Sequence, residues 1–169
     1  MSEATSTINA VLQEAEETQK DLFLTFRLGD EDYGMEIFHV IEIVGIQKIT
    51  EVPDMPESIK GVINLRGSVI PVMDVRLKFG MVERPYDDRT CLVVVRVNET
   101  TTALVVDCVN EVSEIPSNQI ESPPRSGRGR GSYISGMGKL GDSVKILLNM
   151  DELLNDPSAA AEEKLAAAE

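Results

Sequence analysis

Residues 61–80 read Gly61-Val-Ile-Asn-Leu-Arg-Gly-Ser-Val-Ile-Pro-Val-Met-Asp-Val-Arg-Leu-Lys-Phe-Gly80. Two apolar runs, Val62–Leu65 and Val69–Val75, are separated by Arg66, Gly67 and Ser68. Short β-branched runs around a glycine predict strand, tight turn, strand. Gly67 supplies the positive φ such a turn asks for. Pro71 lacks an N–H, which predicts a sheet edge or a bulge at that point. Arg66 is held by two strands and directed outward. A guanidinium stays protonated and moves no protons, so a rigid arginine on a strand turn suits recognition better than catalysis.

The same grammar extends in both directions. Phe23–Leu28 alternates its large apolar residues, Gly29–Asp32 turns, and Tyr33–Ile37 returns. Val40–Val44 follows, interrupted by Glu42, and Val52-Pro53 and Met55-Pro56 break the chain before a single helical turn expected at Glu57–Lys60. Beyond Gly80, Cys91–Val97 and Ala103–Val109 read as a hairpin, Pro116–Pro124 as loop, and Val144–Met150 as a last strand before a short helix. A shift of 69 residues carries Arg27 onto Arg96, Met35 onto Leu104 and Glu42 onto Glu111. A later shift near 75 carries Ile70–Val75 onto the stretch from Ile146. The chain thus reads as two copies of one all-β unit. Strands of this length with tight turns predict two small five-stranded barrels packed side by side, about 22–85 and about 90–150, with a groove between them. Residues 1–21 are expected to be a frayed helix or disordered, and 155–169 an acidic, alanine-rich tail.

Composition narrows the function. The net charge is −13 over 169 residues. Residues 1–21 hold five acids and one base, and 151–169 hold six acids and one base, so the acidity is concentrated at the ends. That balance argues against wholesale nucleic-acid binding. No apolar run reaches the ~20 residues of a membrane span, and no basic-then-apolar leader opens the chain. With no tryptophan and 4% aromatics, Val, Ile and Leu must fill the core. Cys91 and Cys108 lie in apolar runs and read as buried free thiols of a reducing compartment.

Catalytic and cofactor signals are weak. Gly136-Met-Gly138-Lys-Leu-Gly141 matches G-x-G-x-x-G, but the following Val144-Lys-Ile-Leu-Leu reads as strand, so the helix N-terminus that would hold a phosphate is missing. His39 is the single histidine, which excludes a multi-histidine metal site. No carboxylate pair is placed for acid–base work, and no cofactor is expected. Arg125, Arg128 and Arg130 form an Arg-Gly tract without interleaved aromatics. An RNA-binding barrel using that tract is the alternative reading. What remains is a recognition surface: Val40, Glu42, Asn64, Arg66 and Cys91 stand at strand starts or ends, where a groove between barrels would suit an amphipathic helix or helical hairpin.

Taken together, Leu28-Gly-Asp-Glu-Asp-Tyr-Gly34, Gly61–Arg76, Val105-Val-Asp-Cys-Val109 and Gly136–Asp142 resemble the CheW family of bacterial chemotaxis coupling proteins, over roughly 22–154. The resemblance implies two SH3-like barrels, no catalysis, and an adaptor that docks on the cytoplasmic tips of chemoreceptors and on the regulatory domain of the histidine kinase CheA. It implies a cytoplasmic location beside membrane-receptor arrays, without membrane insertion, and leaves room for rings with further copies. By similarity Val40, Glu42, Arg66 and the Cys91 position map to the receptor-facing groove, while the kinase-facing residues stay unassigned. The Arg125–Gly131 loop departs from the family pattern. A regulatory domain detached from a kinase is a variant of the same reading, but 169 residues leave no room for a receiver or ATPase domain, so a stand-alone adaptor is expected.

Overall fold

The computed structural model describes residues 8–9, 21–123 and 133–154. The expectations for the Arg125–Gly131 tract, for the tail and for most of the N-terminal segment lie outside these residues. Among the described residues eleven strands carry the fold: β1 Leu22–Leu28, β2 Glu31–Glu36, β3 Val40–Gly45, β4 Ile59–Leu65, β5 Ser68–Asp74, β6 Cys91–Val97, β7 Thr100–Val106, β8 Cys108–Glu114, β9 Ile120–Glu121, β10 Ile134–Leu140 and β11 Ser143–Leu148. Two short helices, α1 Val75–Lys78 and α2 Met150–Leu154, follow β5 and β11. The predicted helical turn at Glu57–Lys60 is not formed, because Ile59 and Lys60 already belong to β4.

The strands form two sheets, ordered β8-β1-β2-β11-β10-β9 and β3-β6-β7-β5-β4. The all-β expectation holds, as two small SH3-like barrels. The expected partition near 85–90 does not. The five-stranded sheet uses β3 to β7, while the six-stranded sheet joins β1 and β2 to β8 through β11. The chain crosses once through the 3-10 turn Ile37–His39 and returns once at Asp107. The repeat itself is present: β1–β2 corresponds to β6–β7, and β4–β5 to β10–β11. Each barrel pairs the first hairpin of one copy with the later strands of the other. Thus β3 pairs with β6, β8 with β1, and the parallel contacts are β5 with β7 and β11 with β2. Parallel neighbours need a long connection, and the exchange between copies supplies it.

This arrangement explains the apolar runs. Val93, Val95 and Val97 of β6 face a core shared with Leu24, Phe26 and Leu28 of β1. Leu92 and Val94 point the other way, into the five-stranded barrel with Ile63, Ile70, Val72 and Val105. A strand buried on both faces has no polar alternation to display. A smaller cluster of Phe23, Ile115 and Leu147 fills the six-stranded barrel.

Both barrels close at a glycine. The register between β4 and β5 shifts at Gly61, and that between β10 and β11 shifts at Gly136. At the first shift Thr50 bridges Val62, exchanging N–H···O bonds of 2.8 and 2.9 Å. At the second, β9 takes the same role against Met137 and Gly138. Gly61 has φ +146°, and a Cβ there would stand 2.1 Å from the Thr50 carbonyl oxygen. A Cβ on Gly136 would meet Ile120 Cγ2 at 2.7 Å. Pro71 lies beside the first bulge, opposite Val62.

Gly61→Ala is expected to destabilise the fold by about 3 kcal/mol, the large end of single-residue effects, because a left-handed backbone and a main-chain clash coincide. Urea denaturation checks this; Gly45→Ala, where a Cβ meets nothing within 4 Å, serves as the near-neutral control.

Candidate partner-binding site

The β4–β5 hairpin has a two-residue loop, with Leu65 opposite Ser68. Arg66 has φ 53° and Gly67 φ 86°. Two positive φ values match the right-handed twist of a tight hairpin. The reading of Gly67 is therefore right, and Arg66 shares the same unusual conformation, which non-glycine residues seldom adopt. The β6–β7 hairpin does likewise at Asn98-Glu99. Asn64 locks the turn: its Oδ1 accepts the Gly67 N–H at 2.9 Å.

Arg66 points outward, with 74% of its side chain exposed. Its guanidinium makes a two-point contact with Glu42 of β3: Nη1–Oε1 at 2.5 Å and Nη2–Oε2 at 2.6 Å. The bond to Glu42 and its charge hold the guanidinium above its ordinary pKa. Since β3 and β4 are the two ends of the five-stranded order, this pair spans the seam where the barrel closes. Glu42 is displayed by a bulge. The β3–β6 register shifts between Val40 and Glu42, leaving Ile41 as the extra residue. Ile41 is 47% exposed, and Val69, just past the Arg66 turn, is 70% exposed. The ion pair is therefore flanked along the chain by exposed aliphatic side chains. Val40 is half-buried against the shared core.

Val40, Glu42, Asn64 and Arg66, expected at a groove between the barrels, lie instead along the closure of the five-stranded barrel. Cys91 does not present itself there. It is 3% exposed, its Sγ donates to the Arg89 carbonyl, and burial pushes the thiol pKa up. It begins β6, opposite Gly45 of β3, so the position adjoins the site while its side chain faces the shared core. His39 contacts Phe38, with ring centroids 4.0 Å apart. Gly136–Gly141 forms β10 and its turn, which leaves no helix N-terminus there. Among the described residues no group of three His, Cys, Asp or Glu side chains could hold a metal ion, and no helix is long and apolar enough to cross a membrane.

Sequence reasoning did not single out the polar cluster at Asp107. Arg76 Nε and Nη2 donate to its two carboxylate oxygens at 2.7 and 2.6 Å. Arg84 Nη1 adds a bond at 3.1 Å, and the Gly29 N–H donates to Oδ2 at 2.8 Å. Gly29 belongs to the β1–β2 turn of one barrel, and Arg76 to α1, which follows β5 of the other. Asp107 thus ties the barrels where the chain crosses. Burial alone would raise its carboxyl pKa; the bonds from Arg76 and Gly29, with the charges of Arg76 and Arg84, outweigh that and hold it below the ordinary aspartate value. Nearby, Tyr86 donates to buried Asp74 at 2.8 Å, and burial together with that bond raises the phenol pKa. A signal was present: Asp74 and Asp107 stand inside the apolar runs 69–75 and 103–109, where a carboxylate is buried with its neighbours, and a buried carboxylate needs a partner.

The architecture defines an all-β scaffold class: twinned barrels with a polar tie between them and a charged seam on one. Residues 22–158 match the family model described as "CheW-like domain", and the chain belongs to that family. It is 35% identical over 153 residues to the chemotaxis protein CheW of Klebsiella aerogenes, covering 90% of this chain and 92% of that one. It is 33% identical over 132 residues to CheW of Helicobacter pylori, covering 78% and 80%. The structure resembles the scaffolding protein TtCheW of Thermoanaerobacter tengcongensis with a TM-score of 0.76 and 34% identity, over 82% of this chain and 94% of that one.

Removing the Asp107 carboxylate leaves Arg76 charged and poorly partnered. Asp107→Ala is expected to cost about 3 kcal/mol. Because the folded pKa is depressed, the carboxylate's contribution is fully present above the unfolded aspartate pKa, near 4, and is lost as pH falls through the folded value. Stability of the wild type measured from about pH 6 down to pH 2 should therefore fall more steeply than that of Asp107→Ala below about pH 4.

Proposed function

We propose that this chain is a non-catalytic adaptor that couples chemoreceptors to the histidine kinase CheA by protein–protein binding. The Glu42–Arg66 seam, with Val40 and Asn64, is the receptor-facing surface. The observation that carries the reading is the two-point ion pair itself, fixed on a left-handed turn and flanked by exposed Ile41 and Val69. Strained, exposed, well-ordered side chains concentrate at recognition sites. An apolar surface with a charged fork is complementary to an amphipathic helix, which offers aliphatic side chains at i, i+3 and i+4 and polar groups beside them. The contact adds to surface that is already shaped, so little ordering is required on this side.

Family membership supports the bridging role, and the relatives' names place them in chemotaxis. A bridge needs two separate faces. The Asp107 tie holds the barrels as one unit, so a kinase-facing surface elsewhere on the molecule would move with the receptor-facing one. On this reading the chain works in receptor arrays on the cytoplasmic side of the membrane.

Arg66→Ala removes the fork and frees Glu42. Its affinity for a receptor cytoplasmic fragment is expected to drop roughly tenfold or more, read by co-sedimentation or calorimetry. The unfolding midpoint should stay close to wild type, since exposed ion pairs add little to stability. Retained receptor affinity would remove the assignment. CheA binding by the same variant should be unchanged.

A further inference from the structure

Two side-chain bonds reach the main chain of β3 from well before β1. The Ile43 N–H donates to Asn9 Oδ1 at 3.2 Å, and Asn9 Nδ2 donates to the Ile43 carbonyl at 3.3 Å. The two residues are 34 positions apart. A carboxamide carries an acceptor and a donor side by side, so one side chain satisfies both main-chain groups of one residue. Ile8, the residue before, is 7% exposed and belongs to the same apolar cluster as Ile43. Its burial keeps Asn9 against the strand. Both residues precede position 22, where the match to the family model begins.

The peptide group whose N–H meets Asn9 is the one that follows Glu42. Just before it the ladder to β6 is interrupted: Val40 stands opposite Val95 and Glu42 opposite Val94, with Ile41 left over. A bulge leaves its extra residue unpaired and bends the strand. The main chain at Glu42 is thus held on one side by a ladder that has only just resumed, and on the other by Asn9 through Ile43. The Glu42 carboxylate in turn receives both Nη groups of Arg66. A two-point contact needs both bonds aligned at once, so a small rotation of the carboxylate weakens it.

We propose that Asn9 is a positioning residue for the Glu42–Arg66 pair: by fixing both main-chain groups of Ile43, it sets the direction in which Glu42 leaves the bulge. The segment before β1 is then part of the machinery of the seam. The effect on receptor binding rests on the role given to that pair above; the positioning itself does not.

The test uses the full chain and arginine side-chain NMR. Held at two points, the Nη groups of Arg66 should give separate resonances in wild type. They should merge in Asn9→Ala, as they do in Glu42→Ala, while exchange of the Ile43 amide quickens and the β6 amides stay protected. Affinity for a receptor cytoplasmic fragment should fall roughly threefold to tenfold in Asn9→Ala, with CheA binding unchanged. In an Arg66→Ala background the same substitution should cause no further loss, a non-additivity that a merely structural role would not produce. Separate Nη resonances in Asn9→Ala, merged ones in wild type, or a further loss of receptor affinity in the Arg66→Ala background overturns the proposal. Should Arg66→Ala keep its receptor affinity, the receptor reading fails and the guanidinium resonances alone decide this inference. Should Asn9→Ala lose β6 protection, Asn9→Asp takes its place: it sets a carboxylate oxygen against the Ile43 carbonyl and should also merge the resonances, and a wild-type spectrum overturns the proposal.

Discussion

Asp107 is the point on which the two barrels depend. It occupies the single position between β7 of one sheet and β8 of the other, so its main chain already belongs to both. Its N–H donates to the Arg27 carbonyl at 3.1 Å, and its carboxylate receives Gly29 from one barrel and Arg76 from the other. A carboxylate only 8% exposed is expensive to bury without partners. Here every partner is fixed: a turn amide, a short helix, and Arg84, which is itself bonded to Asp87. The shared apolar core holds the barrels in contact, but apolar contact is non-directional. The directional bonds at Asp107 set how one barrel is oriented on the other.

The sequence made the strands and the repetition legible, because periodicity, turn glycines and the 69-residue shift are local or pairwise properties. The Arg66–Gly67 hairpin was readable for the same reason. Which hairpin joins which barrel was not. Two equivalent hairpins have equivalent patterns, and β1 could pair with strands of either copy without changing one apolar position. The exchange is decided by the connections: Ile37–His39 and Asp107 carry the chain across, and the parallel contacts of β5 with β7 and β11 with β2 follow. Cys91 shows the complementary difficulty. It begins β6 opposite Gly45 of β3, as a strand start was expected there, but a strand apolar on both faces gives no sign of which face a given side chain takes.

The glycines of the G-x-G-x-x-G stretch have a structural explanation once the closure of the barrels is seen. Gly136 opens the bulge that admits β9, and Gly138 lies 3.1 Å, measured from an added Cβ, from Ile115 Cγ2. Gly141 takes φ +59° in the β10–β11 turn. Gly61 is the counterpart of Gly136 in the other copy, and it meets Thr50 instead of β9. The repeat extends to the helix starts: Asp74 accepts the Leu77 N–H, and Asn149 accepts the Glu152 N–H. A motif that resembles a nucleotide loop in one dimension is thus a seam of β closure in three.

The position of the Glu42–Arg66 pair follows from the same closure. A sheet that curls until its end strands approach brings β3 beside the β4–β5 turn, and side chains there face water because no further strand covers them. A bulge on β3 raises Ile41, and a left-handed turn raises Arg66, so both sides of the seam project groups that a flat ladder would keep down. The ion pair then restrains the projecting arginine without burying it. An exposed pair contributes little to stability, so the arrangement is poorly explained as a device for holding the barrel shut; the Thr50–Val62 bridge and Gly61 already do that. Its structural effect is to hold the exposed guanidinium in one orientation at the rim of the seam, the orientation on which the proposed receptor contact rests.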